Sequence, residues 1–151
     1  MSTTRDEQAV VRANRAFYDA FEGLDLRAME GVWSHGEHVR CAHPGWEPLE
    51  GWEAVRESWD GIFTNTTFVR FTLTRLSTRV HGDSAWVTCF ENIYTRSPGG
   101  VTAGPLLATN LFEREGGRWK MVHHHSSPVP AASPLLVAED DSAPPADDTV
   151  N

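Results

Sequence analysis

The apolar residues of this chain change their period near Asn65, and that change limits what the chain can fold into. Before it, Ala9, Val10, Ala13, Phe17, Ala20 and Phe21 recur at helical spacing, which predicts an amphipathic helix from about residue 6 to a stop at Gly23. A shorter helix fits residues 25–33, with Asp25 as its cap and Leu26, Met29, Val32 and Trp33 on the apolar side. A short strand over 38–43 ends where Pro44 and Gly45 break the pattern. A third helix fits 52–63, with Trp52, Val55, Trp59 and Phe63 along one face. Beyond Asn65 apolar and polar residues alternate instead, predicting strands over 68–80, 85–95, 102–114 and 118–126, the last two joined by a tight Gly116-Gly117 hairpin. Three N-terminal helices followed by antiparallel strands give an α+β domain with the helices on one side of a sheet.

The 151 residues, 40% of them hydrophobic, suit a single core. We place the domain over 1–127. Residues 128–151 hold five prolines, and five acidic side chains follow Ser126 with no basic one, which predicts a disordered tail; an arm packing through Leu135, Leu136 and Val137 is the alternative. The formal charge of -8 and the lack of a basic stripe argue against a nucleic-acid partner. Residues 1–8 lack the apolar stretch of a signal peptide, and no run approaches the roughly 20 apolar residues of a membrane helix, so a cytoplasmic protein without membrane contact is expected. Cys41 and Cys89, both in apolar surroundings, read as free buried thiols. Phosphate-loop, dinucleotide-turn and nucleophile-elbow patterns are missing, so no cofactor is expected.

The chemistry-bearing residues are few. His123, His124 and His125 extend an apolar run, and strict alternation puts His123 and His125 on the face of Trp119 and Met121, with His124 opposite. His43, His123 and His125 are candidate catalytic groups because an imidazole titrates near neutral pH. Glu91 joins them as the one charge interrupting the apolar face from Ala85 to Ile93. Beside aromatic surface it becomes a base or acid with a raised pKa; beside Arg40, Arg70 or Arg75 it becomes an ion-pair partner. Tyr18, Trp46, Trp59, Asn110 and Trp119 are the candidate ligand contacts. His123 and His125, with His43 and Glu91, also form a conceivable metal set, but no HExxH or paired-cysteine pattern supports one and none is expected.

Several stretches resemble the nuclear transport factor two-like superfamily, and especially its bacterial SnoaL-like branch, related in fold to the ketosteroid isomerases. They are the helix through Phe17 and Phe21, Cys41-Ala42-His43-Pro44-Gly45-Trp46, Gly51 with the Trp59 helix, Asp83-Ser84-Ala85-Trp86-Val87, Thr109-Asn110-Leu111-Phe112, and Gly117-Arg118-Trp119 through His125-Ser126. The resemblance implies a cone-like roll, in which a strongly curved, mostly antiparallel sheet wraps the three helices around a partly apolar cavity. It also implies a homodimer through the outer sheet face. Alternation on both faces of the 85–95 strand agrees, with Trp86, Phe90 and Tyr94 on one side and Ala85, Val87, Cys89 and Ile93 on the other. The superfamily spans isomerases, dehydratases, cyclases, hydrolases and non-catalytic assembly domains. Tyr18 stands where a ketosteroid isomerase would carry a tyrosine, but the matching carboxylate pair is not evident. The expectation is a small-molecule-binding protein with cofactor-independent acid/base activity on a carbonyl-containing metabolite, Asn110 or a histidine donating to the developing oxyanion. The alternative is a non-catalytic dimeric ligand-binding or accessory domain.

Overall fold

The computed structural model describes residues 2–130, with side chains from Arg5 onward. The expected tail falls on 131–151 for the most part, outside the described residues. Helices α1 (Ser2–Glu22) and α2 (Leu26–Val32) come first, then two short strands, β1 (Arg40–Ala42) and β2 (Leu49–Glu50), and then helix α3 (Trp52–Asn65). Four long strands follow: β3 (Phe68–His81), β4 (Ser84–Ser97), β5 (Gly100–Glu115) and β6 (Arg118–Pro128). Asp25 caps α2 as its sequence suggests, its carboxylate accepting from the Ala28 amide at 3.0 Å. The β5–β6 hairpin turns on Gly116 and Gly117, both at positive φ (54° and 79°), where a Cβ would be strained.

All six strands form one sheet in the order β2-β1-β6-β5-β4-β3. The long strands pair antiparallel, whereas β1 lies parallel to β6, matching Arg40, Cys41 and Ala42 with His123, His124 and His125. The strongly curved cone expected from the resemblance is corrected here: the sheet is not strongly curled. It is an open sheet with β2 and β3 at its two ends, and the β4–β5 ladder runs without a shift from Ser84 opposite Glu113 to Ser97 opposite Gly100. Sharp curvature is introduced by bulges and glycine kinks. The long ladders carry just two register shifts, one in β3 between Thr74 and Ser77 and one opposite Leu111 and Phe112.

Helix α1 lies across the sheet, mainly on β3, and α3 packs beside it. Their apolar faces meet as aromatic edges: Phe17 sits 5.5 Å from Trp59, and Phe21 sits 4.9 Å from Trp59 and 4.8 Å from Phe71, each nearly perpendicular. A fully buried Phe contributes about 1.5–3 kcal/mol, and edge-on pairing adds roughly 0.5–1.5 kcal/mol. This cluster therefore fixes α1 firmly against β3, with polar side chains on its underside that reach β4 and β5.

Candidate functional site

A polar residue recurs within the buried stripe of α1: Val10, Asn14, Phe17 and Tyr18 are each 1% exposed or less. The strands below supply its partners. Inward positions of β4 are Ala85, Val87, Cys89 and Glu91, so the alternation that buries the strand also buries the Glu91 carboxyl, at 2% exposure. Asn110 on β5 faces inward opposite Val87 and His124.

Strand β6 departs from strict alternation. Phe112 pairs with Met121 but Leu111 pairs with His123, so Val122 is an extra residue, a β-bulge. The parity changes there: Trp119 and Met121 point inward before the bulge, His124 and Ser126 after it. The expected face assignment is thus corrected. His124 is the buried imidazole, His125 is exposed and pairs with Thr109 on the outer side, and His123 is half-buried opposite Leu111.

These residues form one hydrogen-bonded chain. The hydroxyls of Tyr18 and Ser126 donate to the two Glu91 carboxyl oxygens, each at 2.5 Å. Asn110 Nδ2 donates to Tyr18 Oη at 3.1 Å and to Asn14 Oδ1 at 2.8 Å. The Asn110 amide oxygen lies 2.6 Å from His124 Nδ1; since that oxygen only accepts, Nδ1 carries the proton and Nε2 the lone pair. A second, smaller unit lies alongside. Ser58 gives its hydroxyl hydrogen to Val55 O at 2.6 Å, so the 2.9 Å contact with His43 is donated by His43 Nε2. Trp59 joins the units, its ring 4.7 Å from His43 and 6.2 Å from His124.

Burial sets the protonation of every member. It raises Glu91 above 4.5, against the opposing pull of the Ser126 and Tyr18 hydrogen bonds. It lowers His43 to about 4, and lowers His124 well below 6.5 with help from the neighbouring histidines. Burial and then the Glu91 charge push Tyr18 up, and Cys89, 3.6 Å from the Tyr18 hydroxyl, rises to about 12. Both histidines are therefore neutral at pH 7. Arg40, Arg70 and Arg75, the ion-pair partners the sequence offered Glu91, are exposed, and the carboxyl is held by hydroxyls instead.

Of the sequence candidates, the fold brings Tyr18, Glu91 and Asn110 into direct contact and sets Trp59 and His43 beside them. It separates the rest. Trp46 is 50% exposed, touching the site through the edge of His43 at 4.9 Å. Trp119 packs under the Arg114 guanidinium, 4.6 Å away, and lines a groove between α1 and α2 with Ala13, Ala20 and Val32. No group of three or more His, Cys, Asp or Glu among the described residues has metal-holding geometry. Sequence reasoning missed Asn14, Ser58, His124 and Ser126. Asn14 and Ser58 had a signal: each interrupts the apolar face of a helix, between Val10 and Phe17 and between Val55 and Trp59.

Known proteins fit this arrangement. The family model for the SnoaL-like domain matches residues 10–132. A Streptomyces avermitilis structure, provisionally described as a dehydratase of the NTF2-like family, is 37% identical, covers 83% of this chain and 97% of its own, and superposes with a TM-score of 0.77. A Thiobacillus denitrificans structure, provisionally described as a calcium/calmodulin-dependent protein kinase type II association domain, is 35% identical over 78% of this chain and 92% of its own, with a TM-score of 0.67. The F-box protein SKIP8 of Arabidopsis thaliana is 36% identical over 126 residues, 83% of this chain, which spans about half (51%) of that protein's length. On the family match and these identities, the chain belongs to the SnoaL-like domain family.

Proposed function

We propose that this protein binds a small molecule beneath α1 and acts on it by cofactor-independent acid/base chemistry, with Glu91 as the proton-carrying group. One observation carries the reading: a carboxyl 2% exposed, held by two hydroxyls at 2.5 Å, with no Lys or Arg among the buried described residues. Burying an unpaired carboxylate is costly, and a purely structural role is met as well by an apolar side chain. A carboxyl whose pKa burial raises above the ordinary carboxylate value is a stronger base for proton abstraction next to a carbonyl. His124, neutral and hydrogen-bonded to Asn110, is a second proton acceptor in the same chain of contacts. A thermal-shift panel of carbonyl-containing metabolites tests the site. A ligand that raises the melting temperature of the native protein and is turned over by it, but not by Glu91→Gln, supports the proposal; binding without turnover in either favours a ligand-binding domain.

A second observation favours self-association. Trp86, Tyr94 and Leu107 are 40%, 41% and 43% exposed along the outer sheet face, apolar surface that a second copy would cover. Light scattering at micromolar concentration should give a dimer mass, and Trp86→Ser with Tyr94→Ser should give a monomer; a monomer in the native protein removes the reading.

A further inference from the structure

The outer face of the sheet carries charge of one sign. Register sets Arg70 opposite Tyr94 and Arg79 opposite Trp86, so both arginines share the outward side with those rings. Arg75 lies over the outward Phe90 ring at 5.4 Å, and Arg96, outward on β4, lies over Phe68 at 5.5 Å. Between Trp86 and Arg96 on β4, and over the residues paired with them on β3 and β5, the only carboxylate is Glu91, which faces inward. Among the described residues no carboxylate makes an ion pair with Arg70, Arg79 or Arg96. In a chain of net charge -8 this is a cationic strip, lying beside the apolar surface of Trp86, Tyr94 and Leu107.

The chain itself supplies the missing charge. Residues 131–151 hold Leu135, Leu136 and Val137, then Glu139, Asp140 and Asp141, and no Lys or Arg. The described part ends at Pro130, just after the Val129 amide donates to Pro105 O on β5. From β6 across β5 and β4 to β3 is three strand spacings, about 14 Å. The nine residues from Pro130 to Glu139 reach up to ~30 Å, ample for that crossing. We propose that segment 135–141 packs across the outer sheet face of its own chain, with Leu135, Leu136 and Val137 on Leu107, Phe90 and Tyr94, and Glu139, Asp140 and Asp141 against Arg70, Arg79 and Arg96. The order along the segment, apolar and then acidic, matches the order across the sheet from β5 to β3. The segment covers the surface that a second copy would cover, so the two compete for it.

Hydrogen exchange at the Leu136 amide of the full-length protein tests this, in low salt and below the concentration at which light scattering gives a dimer. Leu136 should exchange about tenfold or more slowly than in the free peptide of residues 131–151. The protection should fall to within about twofold of the peptide in Glu139→Gln/Asp140→Asn/Asp141→Asn, and likewise in Arg70→Glu/Arg79→Glu. Arg70 and Arg79 are exposed, so their replacement leaves the core intact. Adding Glu139→Arg/Asp140→Arg to Arg70→Glu/Arg79→Glu should restore the protection. Leu136 exchanging as freely as the peptide overturns the proposal, and a dimer formed by that same protein then assigns the face to a second copy. Protection indifferent to the charge changes overturns it too, because the segment then packs elsewhere. Protection that grows with protein concentration overturns it in favour of a neighbouring chain's face.

Discussion

Lowering the pH from 7 to 5 should destabilise this protein through His43, and the size of the effect follows from its burial. The imidazole is held at about 4 against an ordinary 6.5. Across that window the folded state binds fewer protons than the unfolded chain, so stability is present above pH 6.5 and is lost as the pH falls toward 4. At about 1.4 kcal/mol per unit the whole window is worth roughly 3 kcal/mol, of which about 2 kcal/mol falls between pH 7 and 5. His124, lowered further, acts in the same direction. Glu91 acts in the opposite one: its raised folded-state value makes the fold less stable as the pH rises through the range above 4.5. Comparison with His43→Gln isolates the first contribution, because glutamine can still donate to Ser58 Oγ but does not titrate. Urea unfolding of both proteins at pH 7 and 5 should show the native protein losing about 2 kcal/mol more than the variant. Equal losses, within about 0.5 kcal/mol, refute the reasoning, since they mean the imidazole is protonated in the fold as easily as in the unfolded chain.

Tyr18→Phe removes a donor from Glu91 and an acceptor from Asn110, so it should cost about 1–3 kcal/mol in urea unfolding and raise the Glu91 titration midpoint. Asn14→Ala releases the clamp that orients the Asn110 amide; it should cost a similar amount, about 1–3 kcal/mol, and give His124 a mixed tautomer, read from its ring 15N shifts. Deleting Val122 should leave His124 inward, because the extra residue is lost while the alternation from Met121 resumes in phase. Its 15N spectrum should keep the Nδ1–H form, at a cost of about 1 kcal/mol for the lost apolar contact.

The parts of the fold set by local chemistry were legible. The stripe from Ala9 to Phe21, the Asp25 cap and the Gly116-Gly117 turn each follow from one residue's neighbours, and each is present. Glu91 was legible as well, since β4 alternates without interruption and parity alone buries it. The histidines were not. Met121 and Val122 are both apolar, so nothing in the sequence marks which of them is the extra residue, and one bulge moves the buried face from His123 and His125 to His124 and Ser126. The parallel β1–β6 pairing, which sets Cys41 beside His124, joins segments about eighty residues apart in the chain, beyond any local signal. Curvature escaped for a related reason: it depends on bulges and kinks, and the family resemblance carried an expectation of shape that this sheet does not share.

The central claim is that Glu91 is a buried, proton-carrying carboxyl in a site able to hold a ligand, and its 13Cδ titration followed by NMR in the intact protein tests this directly. The account predicts a midpoint clearly above 4.5, and a midpoint at or below 4.5 contradicts it.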